Sequence, residues 1–211
     1  MKKTLLTVIV LLLGICAQAQ IVSSHSKVKY KEKKERKTEW ILRGGLNVSN
    51  ISGESKSIEI DDFEPYAAPG YNISFGLNHP LGQKGLYFGA EIGLFSAGYC
   101  NDYSDGISDN FLELSPYLGW KFKLTDKIKL DAHLGMFYGV SIAAGEDELN
   151  HGYSYVGDYD AGISYGVGVW FNKFNIDLSY KVGLEPFVTV HEYGEYVYNS
   201  RIFMLRLGYA F

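Results

Sequence analysis

Long apolar runs are missing from this chain once its first fifteen residues are past. No later stretch approaches the roughly 20 apolar residues that a membrane-spanning helix requires, so the body of the sequence does not cross a bilayer as helices. Cysteine is nearly as scarce. Only Cys16 and Cys100 occur, and the first falls within the N-terminal apolar segment. No intramolecular disulfide is therefore available downstream, and a single thiol gives no sign of catalysis. Neither charge sign dominates, the formal net charge being −4, but one asymmetry is hidden in that figure. Between Lys27 and Lys37 lie seven basic residues with only Glu32 and Glu35 as acids, and the chain after Thr38 is correspondingly acidic. Such a block reads as a solvated tail, able to meet anionic lipid headgroups. Alone it does not indicate nucleic acid.

The first residues set the compartment. Lys2 and Lys3 are basic, Leu5 to Ile15 is almost unbroken apolar sequence, and Ala17-Gln18-Ala19 places small residues where a signal peptidase reads. This predicts export with cleavage before Gln20. A lipid anchor on Cys16 is disfavoured by the bulky Ile15 that precedes it. The predicted organisation is a signal peptide over 1–19, a basic periplasmic tail over 20–38 and one domain over 39–211. The roughly 190 residues left after cleavage suffice for one domain and hardly for two.

What the body does contain is a period of two, repeated over segments of about ten residues. At the C-terminus Phe203, Leu205, Leu207, Tyr209 and Phe211 alternate with Met204, Arg206, Gly208 and Ala210. Seven similar segments precede it, around Leu42, Ile73, Ala90, Leu118, Leu134, Tyr165 and Leu178, giving eight predicted strands. A soluble antiparallel sheet also alternates, but here the apolar faces carry no charge, and charges recur in mid-strand on the opposite face. Glycine is abundant on that charged face, leaving room for long side chains. Trp40, Trp120, Phe122, Phe171, Phe174, Tyr209 and Phe211 fall near strand ends, where they would ring one membrane interface as an aromatic girdle. The fold expected is all-β: a closed antiparallel up-and-down transmembrane β-barrel of about eight strands. Leu134 and Ile163 should then face hydrocarbon, and Gly135 the lumen.

Connection lengths set the orientation. His79 to Gly85, Leu124 to Lys127 and Asn172-Lys173 are short; Asn50 to Tyr66, Cys100 to Asp109, Ala144 to Tyr159 and Pro186 to Asn199 are long. Short periplasmic turns alternating with long outer loops put both termini on the periplasmic side of an outer membrane, and the regular alternation argues that no strand has been missed. Pro69 can begin a strand, whereas Pro116 falls within one and predicts a bulge.

The run Phe111-Leu112-Glu113-Leu114-Ser115-Pro116-Tyr117-Leu118-Gly119-Trp120-Lys121-Phe122 resembles a strand of the PorT-like outer-membrane β-barrel (porin-like) family, with the proline shifted by one place and Ser115 intervening. Asp160 to Val169, Ile176 to Leu184 and the closing Leu205-Arg206-Leu207-Gly208-Tyr209-Ala210-Phe211 resemble further strands of that family, so the likeness covers most of the domain. It implies the fold and the membrane, and a partner for some members, which serve a protein-secretion and gliding apparatus.

Chemistry is sparsely signalled. Glu148, His151 and Ser154 share one long connection, and His191, Glu192 and Glu195 another, yet a triad is defined by geometry that spacing cannot supply. Asn101, Asp105, Gly106 and Asp109 outline a calcium loop whose ligand positions are spoiled by Tyr103 and Leu112. Neither a cofactor, a metal nor catalysis is expected. The informative constellation is inside. Arg43, Lys121, Lys129, Lys181 and Arg206 would share a narrow lumen with Glu91, Glu113, Asp131, Asp177 and Glu185, five against five. Eight strands enclose just enough space for side chains, so these charges are expected to pair as a plug. The readings that follow are a non-enzymatic barrel with a structural or surface-interaction role, a narrow porin for small solutes, or a component of a secretion machine. Expected partners are outer-membrane lipids, the barrel-assembly machinery acting through the C-terminal strand, and an extracellular or secretion-machine protein met by Tyr-rich acidic loops containing Asp61, Asp62, Glu64, Tyr66, Asp102, Tyr103, Glu146, Asp147, Glu148, Tyr193, Tyr196 and Tyr198; no nucleic acid is expected.

Overall fold

The computed structural model describes residues 37–53, 66–82, 85–100, 107–142, 146–149, 152–191 and 195–211. Its elements are β1 (Glu39–Ser52), β2 (Tyr66–Pro80), β3 (Leu86–Cys100), β4 (Ile107–Lys123), β5 (Ile128–Ser141), β6 (Glu146–Leu149), β7 (Gly152–Val156), β8 (Tyr159–Phe171), β9 (Phe174–Gly183), β10 (Val188–His191) and β11 (Glu195–Ala210). Eight of these close on themselves in the order β1-β2-β3-β4-β5-β8-β9-β11, with β11 pairing back onto β1 from Ile41↔Ala210 to Ser52↔Asn199. Every pairing is antiparallel, and each strand of the wall has a hydrogen-bonded neighbour on both sides. That is what hydrocarbon demands of a sheet, since an unpaired peptide group has no water there to turn to. The proposed signal peptide and nearly all of the basic tail lie outside the described residues.

Alternation is resolved into an inside and an outside. Along β1, Trp40, Leu42, Leu46 and Val48 are exposed, while Ile41, Arg43, Asn47 and Ser49 are buried. On β5, Leu134 and Met136 face out and Asp131 and Phe137 face in. From Leu112 to Phe122 the apolar face of β4 runs ten steps, roughly 25 Å along the barrel axis at a rise of ~3.3 Å and a tilt of ~40°. The girdle residues gather at the end that bears the short turns: Trp120 stacks on Phe122 and Trp40 on Phe75, and Phe174, Tyr209 and Phe211 meet edge to face. Trp40, Trp120, Phe122, Phe171, Phe174 and Phe211 are exposed, and Tyr209 is half-buried between Phe174 and Phe211. The tightest turn there has Asn172 at φ 53, a left-handed conformation that Asn tolerates better than most residues.

This geometry separates exposure from environment. Leu134, in mid-strand, and Leu124, in a turn, are each 60% exposed, yet only the first faces the middle of the bilayer. Leu134→Arg should cost on the order of 2–4 kcal/mol and Leu124→Arg little, read as urea midpoints of the two variants in phospholipid vesicles. Equal losses would show that the outer face does not lie in hydrocarbon.

Three features depart from the sequence reading. The long connections are not all loop: β6 and β7 lie in the third and β10 in the fourth, and they join the extended start of β11 as a ribbon in the order β11-β10-β7-β6. Segments of four or five residues are too short to display a period of two in the sequence. The bulge is not at Pro116, where the β3 ladder is continuous and the β5 ladder merely skips two pairings and resumes in register. It lies in β2 between Ala67 and Asn72, with Pro69 inside the strand rather than at its start. Finally, Gly135 is not a roomy position: a Cβ there would fall 2.4 Å from the Pro116 carbonyl oxygen and 2.5 Å from Tyr117 Cβ.

Candidate functional site

The lumen is filled in layers, beginning at the turn end. Lys121 forms an ion pair with Glu39 across the mouth, and its Nζ sits 4.1 Å from the Trp170 ring centroid and 5.0 Å from that of Tyr87. Lys121 and Asp131 are direct cross-strand partners in register, but Asp131 is satisfied differently. Its carboxylate accepts from Tyr87 Oη at 2.7 and 2.9 Å and from Trp170 Nε1 at 2.8 Å. Both aromatic donors occupy lumen-facing positions of otherwise ordinary strands.

The central layer is an arginine–carboxylate lattice. Glu91 bridges Arg43 and Arg206, the latter at 3.0 Å. Arg206 also donates from Nε and Nη2 to Asp177 Oδ1, at 2.8 and 2.6 Å. Arg43 donates to Asn175 Oδ1 at 3.2 Å and to Tyr117 Oη at 3.1 Å. His133 Nδ1 stands 3.7 Å from Asp177 Oδ2. Arg43, Glu91 and Asp177 are all buried. Charges so placed are tolerable because each meets an opposite charge and additional hydrogen bonds; without them desolvation would dominate. Among the described residues Arg43 Nη2, Asp177 Oδ2 and Ser179 Oγ have no hydrogen-bond partner, and buried atoms of this kind are normally met by ordered water.

One step further, Lys181 pairs with Glu113, which also accepts from Ser115, and the Lys181 ammonium lies 4.2 Å from the Phe95 ring centroid. Beyond it the lumen turns apolar. Phe95 stacks on Phe111 at 5.2 Å and Phe111 meets Phe187 at 5.6 Å, within a buried cluster that includes Tyr99, Val156, Val188, Ile202 and Met204. Phe187 and Val188 enter from the segment that begins β10, and Val156 from the end of β7. The ribbon at the loop end is thus anchored by side chains reaching down into the barrel. Near the same level Asp160 accepts from Ser200 Oγ at 2.6 Å.

Two members of the predicted charge constellation stand apart. Lys129 lies at the turn-end rim with no ion pair among the described residues. Glu185 lies beyond the end of β9, at a bend, with no ion pair among the described residues. The other eight are in the lumen, where Lys181 pairs with Glu113 and Arg206 with Asp177, while Asp131 is held by neutral donors and Glu39 supplies an acid that the five-against-five count omitted. Tyr87, Trp170 and Asn78 were recoverable from parity alone, because each falls on the inward step of its strand. Phe187 was not, since nothing periodic surrounds it. Two glycines on the inner face make room for tyrosine rings. Tyr117 lies over its cross-strand partner Gly89 and Tyr87 over Gly119, and a Cβ at either glycine would fall 2.2 Å from the ring.

Among the described residues no group of three or more His, Cys, Asp or Glu is arranged to hold a metal ion. His151, Glu192, Asn101, Tyr103, Asp105 and Gly106 lie outside the described residues, as do Asp61, Asp62, Glu64, Asp102 and Tyr193. The side chains of Glu146, Asp147, Glu148, Ser154, His191, Glu195 and Tyr196 likewise fall outside what the structure describes.

Over residues 18–188 the chain matches the family described as "Outer membrane protein beta-barrel domain". Among solved structures it is similar to Ail, the attachment invasion locus protein of Yersinia pestis, at 18% identity and a TM-score of 0.43, covering 83% of this chain and 100% of that one. Neisserial surface protein A is similar at 12% identity and 0.42, covering 83% and 100%. The N-terminal β-barrel domain of Pseudomonas aeruginosa OprF is similar at 11% identity and 0.40, covering 82% and 97%. No curated protein sequence matches the chain.

Proposed function

The chain belongs to the outer membrane protein β-barrel domain family, and from that premise we propose that it is a non-conducting barrel acting through the ribbon and loops at one end, without catalysis. The observation that carries this reading is double closure of the lumen. An arginine–carboxylate lattice fills its middle and an aromatic cluster pinned by Phe187 fills it above. A narrow porin would need a continuous polar path, and the apolar layer interrupts one.

An interaction role is supported by the ribbon. Among the described residues its outermost strand β6 pairs with β7 alone, which would leave one backbone edge to an extended segment of a partner protein. Whether that partner belongs to a secretion machine, as the PorT-like resemblance implies, is tested by crosslinking the native complex and identifying what co-purifies. Orientation follows from the short turns, which lie at the same end as the C-terminus and support a periplasmic placement of both termini. The C-terminal β11, ending at the girdle, is the segment offered to the assembly machinery.

Purified protein in planar bilayers should give no steady conductance at any salt concentration. Reproducible open channels from the wild type would replace this reading with the porin.

A further inference from the structure

The sealed lumen does not account for the basic mouth at the turn end. A cleft of about 660 Å³ opens there between the start of β1, the first turn and the end of β4. Among the described residues its charged lining consists of Lys37, Lys121, Lys123 and Lys129 against Glu39. Glu39 is engaged by Lys121. Lys123 and Lys129 are direct cross-strand partners at the end of the β4–β5 ladder, and like charges so placed repel. The acid that Lys123 meets, Asp126 at 2.6 Å, is almost fully exposed, where an ion pair contributes little. Lys37 and Lys129 have no ion pair among the described residues. Among the described residues, the mouth therefore holds positive charge without a compensating acid.

A second observation is independent of charge. Asn78 lines the same cleft and is only 2% exposed. Its Oδ1 accepts from Tyr117 Oη at 2.8 Å, while its Nδ2 has no hydrogen-bond partner among the described residues. A buried N–H without an acceptor is costly to leave so. Uncompensated cations and an idle donor converge on the need for an oxyanion. Trp120 and Phe122, aromatics of the lipid-facing girdle, line the cleft as well, which sets it at headgroup level beside apolar surface. We propose that this cleft binds a phosphate group, with Lys37 and Lys129 neutralising it and Asn78 Nδ2 donating to one of its oxygens. The phosphate is carried by a phospholipid of the leaflet at the turn end or by a soluble phosphate ester; the aromatic lining favours the lipid.

The test uses the full-length mature protein in nanodiscs of phosphatidylcholine containing a minor fraction of phosphatidylglycerol, with retained lipid counted by native mass spectrometry. Wild type should retain phosphatidylglycerol preferentially. Lys37→Gln with Lys129→Gln should lower that retention about tenfold, a change of about 1.4 kcal/mol, and Asn78→Leu should lower it too, with heat-modifiable migration confirming that each variant is folded. Lys173→Gln, an exposed lysine on the same rim beside Tyr209, should change nothing. Displacement of the lipid by glycerol 3-phosphate or inorganic phosphate would support the site and assign it to soluble phosphate. Two outcomes overturn the proposal. One is an equal loss in Lys173→Gln, which would reduce the effect to diffuse electrostatics at the membrane surface. The other is a wild type that neither prefers phosphatidylglycerol nor binds either soluble phosphate.

Discussion

Replacing Arg206 with leucine should cost the folded barrel about 3 kcal/mol, the lower part of the range for removing one partner of a buried ion pair. The loss is large because Arg206 serves two carboxylates at once, Glu91 at 3.0 Å and Asp177 at 2.6 and 2.8 Å. Without it the ion-pair partner left to Asp177 among the described residues is His133, at 3.7 Å, while Glu91 keeps Arg43. Water reaching the atoms that already lack protein partners moderates the penalty. Arg206→Leu combined with Asp177→Leu should recover part of the loss, because the stranded charge leaves with its partner. Urea midpoints for the single variant and the pair, in the same vesicles, give the comparison. An unchanged midpoint for Arg206→Leu would mean that the lattice is hydrated enough to be energetically idle.

Phe187→Ala should destabilise by a comparable amount, about 3–5 kcal/mol for a fully buried aromatic cut to a methyl. This side chain is wholly buried and contacts Phe111 within the upper cluster. It also holds the segment before β10, whose backbone is tied in by Phe187 N–H to Tyr198 and by Gly157 N–H to the Phe187 carbonyl. Loss should therefore appear both in the urea midpoint and as faster proteolysis of the loop-end ribbon. Conductance then tests the layered seal. Phe187→Ala retains the charged layer and Arg206→Leu the aromatic one, so neither alone should conduct steadily. The two together should show openings in planar bilayers. Steady channels from Arg206→Leu alone would mean that the aromatic layer seals nothing.

Most of the wall was legible because a strand's side chains alternate strictly, and a chain whose outer face meets lipid cannot blur that alternation. Leu42 against Arg43 and Leu205 against Arg206 assign inside and outside with no knowledge of neighbours. The Arg206–Asp177 pair was also within reach, since β9 and β11 pair directly and place the two side by side. The remaining partnerships were not. Arg43 meets Glu91 from two strands away, and Lys181 meets Glu113 from another part of the wall. Which charges face each other across the lumen depends on strand tilt and on the stagger with which β11 closes onto β1, and neither leaves a mark on the order of residues along one strand. Asp131 makes the same point: beside Lys121 in register, it is taken by Tyr87 and Trp170, because Lys121 reaches Glu39 instead.

The sequence by itself determined the membrane-facing surface, the number of barrel strands and the end at which the short turns lie, all consequences of local period and connection length. Only the tertiary structure decided that the upper lumen is apolar, that a loop phenylalanine plugs it, and that Lys129 belongs to the rim cleft rather than to the inner charge network. Those outcomes depend on distances across a closed ring, where residues far apart in the chain share one small volume, and no periodicity in the chain encodes them.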